Sequence, residues 1–144
     1  MDEWQYLIIS GFQIRFRYPS KTHQGYPVER LESKHQDSSR VHLVSKGSQE
    51  VYFEVSKYAD LPPQDEYLQH KANLESRPEF GELTVTNLEN SHLNGLTICQ
   101  YGIRWNQGER VVLLLQQDLA TYRVIYDPRS PINTQILSTI EIIE

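Results

Sequence analysis

The chain has 144 residues, 38% hydrophobic and 23% charged, which suits one domain with an ordinary core and lies far from a disordered composition. Its net charge of −5 offers no concentrated basic face for a phosphate backbone, and its single cysteine, Cys99, rules out an intrachain disulfide. Met1-Asp2-Glu3-Trp4 lacks the basic and apolar regions of a signal peptide, and no apolar run nears the roughly 18 residues of a membrane span, so the sequence reads as cytoplasmic with neither a nucleic-acid partner nor a membrane span.

The first short apolar run is Trp4 to Ile9, ended by Ser10-Gly11. Phe12, Ile14, Phe16 and Tyr18 then alternate with Gln13, Arg15 and Arg17, the period-2 pattern of a strand with one apolar face. Residues 19–39 show no clear periodicity and carry Pro19, Gly25 and Pro27; they read as a long loop, with room for a short helix from Val28 to Lys34. Val41–Ser45 and Val51–Ser56 read as two strands joined by a five-residue connection turning at Gly47.

Pro62-Pro63 breaks the chain before a helix predicted from Gln64 to Arg77. Asp65 and Glu66 suit the positive end of its dipole, Tyr67, Leu68, Ala72 and Leu74 with the stem of Lys71 form its packing side, and Pro78 closes it. Leu83–Leu88 is a short strand, and Asn94-Gly95 is a turn. Leu96–Trp105 and Arg110–Gln117 form the strongest strand pair; Val111 to Leu115 is apolar on both parities, so that strand must be central, with both faces covered. Thr121–Tyr126 follows. Ser130 and Pro131 then open a last helix as N-cap and first residue, with Ile132, Ile136, Leu137 and Ile140 on one face.

Short connections imply antiparallel neighbours, and a doubly apolar centre needs a layer on each side. The expected fold is therefore α+β: one domain over residues 1–144, with a mostly antiparallel sheet of about six to eight strands and a helix layer on each face, an α/β/α sandwich.

The order of elements resembles the PsbP-like fold. The resemblance rests on an opening strand ending in aromatic-Pro (Phe16-Arg17-Tyr18-Pro19), a mid-chain helix, a Gly-marked turn before a long strand (Leu93-Asn94-Gly95-Leu96-Thr97), a meander, and a closing helix Ile136-Leu137-Ser138-Thr139-Ile140. That fold is shared by the photosystem II extrinsic protein P, the nuclear Ran-GTPase release factor and many uncharacterised bacterial proteins. The resemblance implies binding and assembly rather than catalysis. Two features depart from it. Ser20-Lys21-Thr22 follow the aromatic-Pro where bacterial relatives often carry tryptophan, and the leader common among relatives is not seen.

Chemical motifs are sparse. His23, His35, His42, His70 and His92 form no metal-binding pair motif, so no metal and no cofactor is expected. Glu66 and His70, four apart on a helix, could touch one metal, but read more simply as a solvent-facing pair. Cys99 sits mid-strand as a small core residue, Ser91-His92 lack a nucleophile elbow, and the pairs Glu79/Glu82 and Asp118/Asp127 read as solvated turns. No Gly-rich phosphate loop exists. Arg15, Arg17 and Lys21, with Tyr18 and Tyr26, form the one local basic cluster; it points to an anionic ligand or acidic partner, against the plainer reading of a strand's polar side.

With Arg30 and Lys34 of the 19–39 segment, these residues make the candidate interaction surface of a non-enzymatic binding or assembly module, whose expected partner is a protein. The alternative is a small-molecule carrier or hydrolytic enzyme with a cleft between helix and sheet.

Overall fold

The computed structural model describes residues 4–34, 38–77, 79 and 81–143. The chain opens with a hairpin, β1 (Trp4–Ile8) and β2 (Ile14–Pro19), and continues through β3 (Val28–Lys34), β4 (Ser38–Ser45) and β5 (Tyr52–Ala59). Helix α1 (Pro63–Glu75) follows, then β6 (Leu83–Val85), β7 (Glu89–Leu93), β8 (Leu96–Trp105), β9 (Gly108–Gln117) and β10 (Ala120–Tyr126). Helix α2 (Pro131–Leu137) and β11 (Glu141–Ile142) close it.

The strands form two sheets. A three-stranded sheet runs β1-β2-β11, and an eight-stranded one runs β3-β4-β5-β10-β9-β8-β6, with β7 also paired to β8; every pairing is antiparallel. Because β6 and β7 lie at the edge remote from β5, the chain must cross the sheet after β5, and α1 makes that crossing over one face. The later strands then fill inward until β10 pairs with β5.

The other face is covered by the small sheet. Phe12, Ile14, Phe16 and Tyr18 lie buried in the shared core, as their alternation predicts, and the Phe16 and Phe53 rings sit 5.3 Å apart. Val41, Leu43, Val55, Leu113, Leu115, Tyr122 and Val124 complete this core from the large sheet. The seven-residue α2 packs beside β2, pinned by buried Asn133, whose Oδ1 accepts from the Tyr52 N–H (3.1 Å) and whose Nδ2 donates to the Asp127 carbonyl (3.0 Å).

This corrects the expected α/β/α sandwich. Helices do not form the two outer layers: α1 lies over part of one face, and the layer on the other is chiefly a second sheet. Residues 4–19 pair with each other and with β11 instead of extending the large sheet. The central position expected of β9 is what forms, between β8 and β10.

Residues 28–34 are a strand, neither loop nor helix. Strand β3 is an edge with five of its seven residues exposed, so it has no apolar parity to read. It forms a hairpin with β4, and the connection at 35–37 lies outside the described residues. Strands β7 and β11 lie beyond the elements expected. Asn94 and Gly95, both at positive φ (51° and 83°), make the tight β7–β8 turn.

Helix α1 begins at Pro63 with Asp65 and Glu66 in its first turn and ends at Glu75; Pro78, expected to close it, lies outside the described residues. Its buried side is not the expected one. Leu68 is half exposed and Ala72 exposed, while Glu66 joins Tyr67 and Leu74 against the sheet.

Candidate functional site

Strands β4, β5 and β10 turn polar side chains toward α1. The register places Arg40, Ser56 and Arg123 in one row across the three strands and His42, Glu54 and Ile125 in the next. From above, α1 brings down Glu66 and, one turn later, His70; Tyr101 of β8 meets both. Between helix and strands lies an open cleft of about 460 Å³. Glu54, Glu66 and Arg123 form its buried floor, and Arg40, Asn73 and Arg77 stand at its more exposed rim.

Arg123 is the centre of the floor. One terminal nitrogen lies 3.6 Å from Glu66 and the other 3.5 Å from Glu54, while its guanidinium carbon sits 5.2 Å from the centre of the Tyr58 ring. Glu54 is shared with Arg40 at 3.6 Å. These are ion pairs longer than hydrogen bonds, and they leave capacity unused. Six buried side-chain polar atoms make no hydrogen bond among the described residues, and five lie on this one face: Arg40 Nε, His42 Nε2, Ser56 Oγ, Glu66 Oε2 and Arg123 Nε. Unpaired polar atoms are rare in native interiors, so their concentration marks this face as unlike the rest of the molecule.

A hydrogen-bonded relay completes the wall. The Tyr101 hydroxyl donates to Glu66 Oε1 at 3.0 Å, and His70 Nδ1 lies 2.6 Å from the same hydroxyl oxygen. Since the one hydroxyl proton goes to Glu66, His70 must donate from Nδ1, which leaves Nε2 as its acceptor.

Burial pushes the Glu66 carboxyl up, opposed by Arg123 and by the Tyr101 hydrogen bond. Burial and the nearby Glu66 likewise raise the Tyr101 phenol. Burial, then Arg123, Arg77 and Arg40, bring His70 down to about 3, so the imidazole stays neutral across the ordinary range. Burial works against the charge of Arg123, but Tyr58, Glu66 and Glu54 together outweigh it.

No Ser, Thr or Cys side chain lines the cleft, and no group of three or more His, Cys, Asp or Glu side chains among the described residues is arranged to hold a metal ion. Cys99 is half-buried on β8, with its thiol 3.6 Å from Asn90 Oδ1. The arrangement offers charge, hydrogen bonds and an organic wall, without an obvious nucleophile.

The residues named from sequence fall elsewhere. Arg15 and Arg17 flank the exposed Tyr6 on the outer side of the small sheet, at 4.6 and 5.5 Å from its ring centre, and Arg15 also pairs with Glu141. Tyr18 is buried in the core. Lys21 bridges to Pro27, and the Tyr26 ring packs on Gly47, where an added Cβ would meet it at 3.2 Å. Arg30 pairs with Glu32 along β3, and Lys34 ends that strand. No ion pair, hydrogen bond or ring contact joins the Arg15–Arg17 group to the Arg30–Lys34 group among the described residues.

Glu66 and His70 do share a helix face, but that face is turned to the sheet and not to solvent. Arg123 and Glu54 went unnamed. Their sequence signal is a charge inside otherwise apolar strands: Glu54 between Phe53 and Val55, Arg123 between Tyr122 and Val124.

No family model matches the chain, and no curated protein matches it. Among solved structures it is similar to the solution structure of cyanobacterial PsbP (CyanoP) from Synechocystis sp. PCC 6803, at 10% identity and a TM-score of 0.61, covering 99% of this chain and 94% of that one. A crystal structure from Bacteroides thetaiotaomicron VPI-5482 aligns at 10% identity and a TM-score of 0.46; the match covers 99% of this chain and 49% of that one, so this chain spans about half its length. At 10% identity no site residue carries across from CyanoP, but its alignment runs through both sheets and both helices, and by that architecture this chain has the PsbP-like fold.

Proposed function

We propose that the chain is a non-enzymatic binding module and that the cleft under α1 is its binding site. One observation carries this: charges from three strands and a helix converge on an open cleft, paired loosely and leaving on that face five of the six unpartnered buried side-chain atoms among the described residues. Burying ions costs more than their mutual attraction returns unless geometry is excellent, and apolar replacements of similar volume often stabilise a protein. Distances of 3.5 and 3.6 Å around Arg123 fall short of that geometry, which supports a role in binding over one in stability. With no Ser, Thr or Cys side chain among the described residues that line the cleft, we favour binding over covalent catalysis.

The test is a ligand screen by thermal shift across organic acids, phosphates, amines, sugars and short peptides. Native protein is compared with Asn73→Trp, which fills the cleft from an exposed helix position. The proposal expects at least one class to raise the melting temperature of the native protein and to lose that effect in the variant. A panel with no cleft-dependent ligand would overturn it.

A second reading puts a protein partner on the small sheet. It is favoured by Tyr6 and Ile8, 49% and 58% exposed on an edge strand beside Arg17, which makes no ion pair among the described residues. Arg17→Glu would weaken that partner and leave cleft ligands unaffected.

A further inference from the structure

We infer that the ligand of the cleft is a small organic monocarboxylate, its carboxylate met by Arg40 and Arg77 and its hydrocarbon body lying on Tyr58, Leu74 and Ile125. The inference rests on the cleft being the binding site and goes on to name what it takes.

The charges of the cleft do not balance. Three guanidiniums (Arg40, Arg77, Arg123) face two carboxylates (Glu54, Glu66). Arg123 engages both carboxylates, and Glu54 is divided between Arg123 and Arg40. Arg77, exposed at the end of α1, makes no ion pair among the described residues, and the Arg40 side chain is 42% exposed. The acidic groups are at the floor and the spare positive charge is at the rim. An entering cation would meet the guanidiniums first, whereas an entering anion meets planar donors suited to a carboxylate.

The size of the imbalance selects a monoanion. His70 stays neutral and adds no positive charge. One surplus guanidinium matches one carboxylate, whereas a phosphate dianion would leave uncompensated charge beside Glu54 and Glu66. The rest of the ligand must be organic, because Tyr58, Leu61, Leu74 and Ile125 line the same space. A volume of about 460 Å³ falls within the range of small-molecule sites, roughly 300–1,000 Å³.

The experiment is calorimetric titration of the full chain with benzoate, phenylacetate and hexanoate, each beside its primary amide, and with inorganic phosphate. At least one carboxylate is expected to bind, with its amide on the order of tenfold weaker or worse, since a charge-assisted hydrogen bond to arginine is lost. Arg77→Gln, an exposed change that leaves the fold intact, is expected to weaken the carboxylate by a similar factor and leave the amide unchanged. Asn73→Trp is expected to abolish binding. Amides binding as tightly as acids, phosphate binding more tightly than any carboxylate, or an Arg77→Gln variant of unchanged affinity would each overturn the ligand class. Any of these results with Asn73→Trp still blocking leaves the cleft itself standing as a binding site. A carboxylate that binds equally well to Asn73→Trp sits elsewhere, and then the inference fails.

Discussion

Along β10, Tyr122, Val124 and Tyr126 enter the core shared with the small sheet, while Thr121, Arg123 and Ile125 face α1. The same division runs through β5, where Phe53 and Val55 take one side and Glu54 and Ser56 the other. One face is a dry interior of aromatic and branched side chains. Toward β8 and β9 the opposite face is apolar as well, with Tyr67 and Leu74 packed on Tyr101, Ile103, Val112 and Leu114, but toward β4 and β5 it becomes a charged cleft. Strands shared by two such environments show that stability and binding can be divided by parity. The dry face can hold the fold, and the other can tolerate poorly paired charge.

The largest effect should come from the dry face. Phe53→Ala removes a fully buried ring in contact with Phe16 and Tyr126 and is expected to cost about 3–5 kcal/mol in urea denaturation, with Leu113→Ala costing about 2–5. Losses under about 1 kcal/mol would mean that the stability resides elsewhere.

Arg123→Met tests the opposite face. It strands Glu54 and Glu66 without their shared cation and is expected to cost about 3–5 kcal/mol. Adding Glu54→Gln and Glu66→Gln to it should recover most of that loss. If the triple variant is no more stable than the single one, the cluster contributes to stability and the contrast between the faces breaks.

The pH dependence sharpens the contrast further. His70 falls from 6.5 to about 3 on folding, so the native state binds fewer protons than the unfolded chain. Its contribution is whole above about pH 6.5 and is lost as the pH falls toward about 3, by up to a few kcal/mol after allowance for its partial contact with solvent. His42, also lowered, first by burial, acts in the same sense. Glu66, raised, acts oppositely, its contribution declining as pH rises through its folded-state value. The melting temperature should therefore drop between pH 6.5 and 4, and His70→Gln, which keeps a donor toward Tyr101, should flatten that drop. An unchanged slope would mean that His70 is already hydrated.

The smallest effect belongs to the edge. Arg30→Glu with Lys34→Glu on exposed β3 is expected to change stability by less than about 0.5 kcal/mol, checked by the melting temperature. A larger loss would show that the edge is packed against something the contrast of faces leaves out.

Local pattern made some elements legible. Strand β2 declared itself by alternation, β9 by being apolar on both parities, and the Asn94-Gly95 turn by residues that accept positive φ. Strand β3 did not, because a strand exposed on both sides needs no apolar period, and β11 is only two residues long. The span of α1 could be read within a few residues, but its buried face could not. Glu66 looks solvent-bound by chemistry and is 2% exposed only because Arg123 and Tyr101 wait beneath it.

The sequence by itself determined strands β2 and β9, the doubly covered centre, the approximate span of α1 and the resemblance to the PsbP-like fold, since each depends on contacts among near neighbours, on the parity of one strand or on the order of elements. The last helix, expected to reach Ile140, ends at Leu137. Only the tertiary structure decided that residues 4–19 form a second sheet over the first and that α1 crosses the opposite face. It alone joined Arg40, Glu54, Glu66, His70, Tyr101 and Arg123, which span more than eighty positions. Parity says which side chains share a face of one strand; which strands become neighbours, and what lies above them, is settled by the burial of the whole chain.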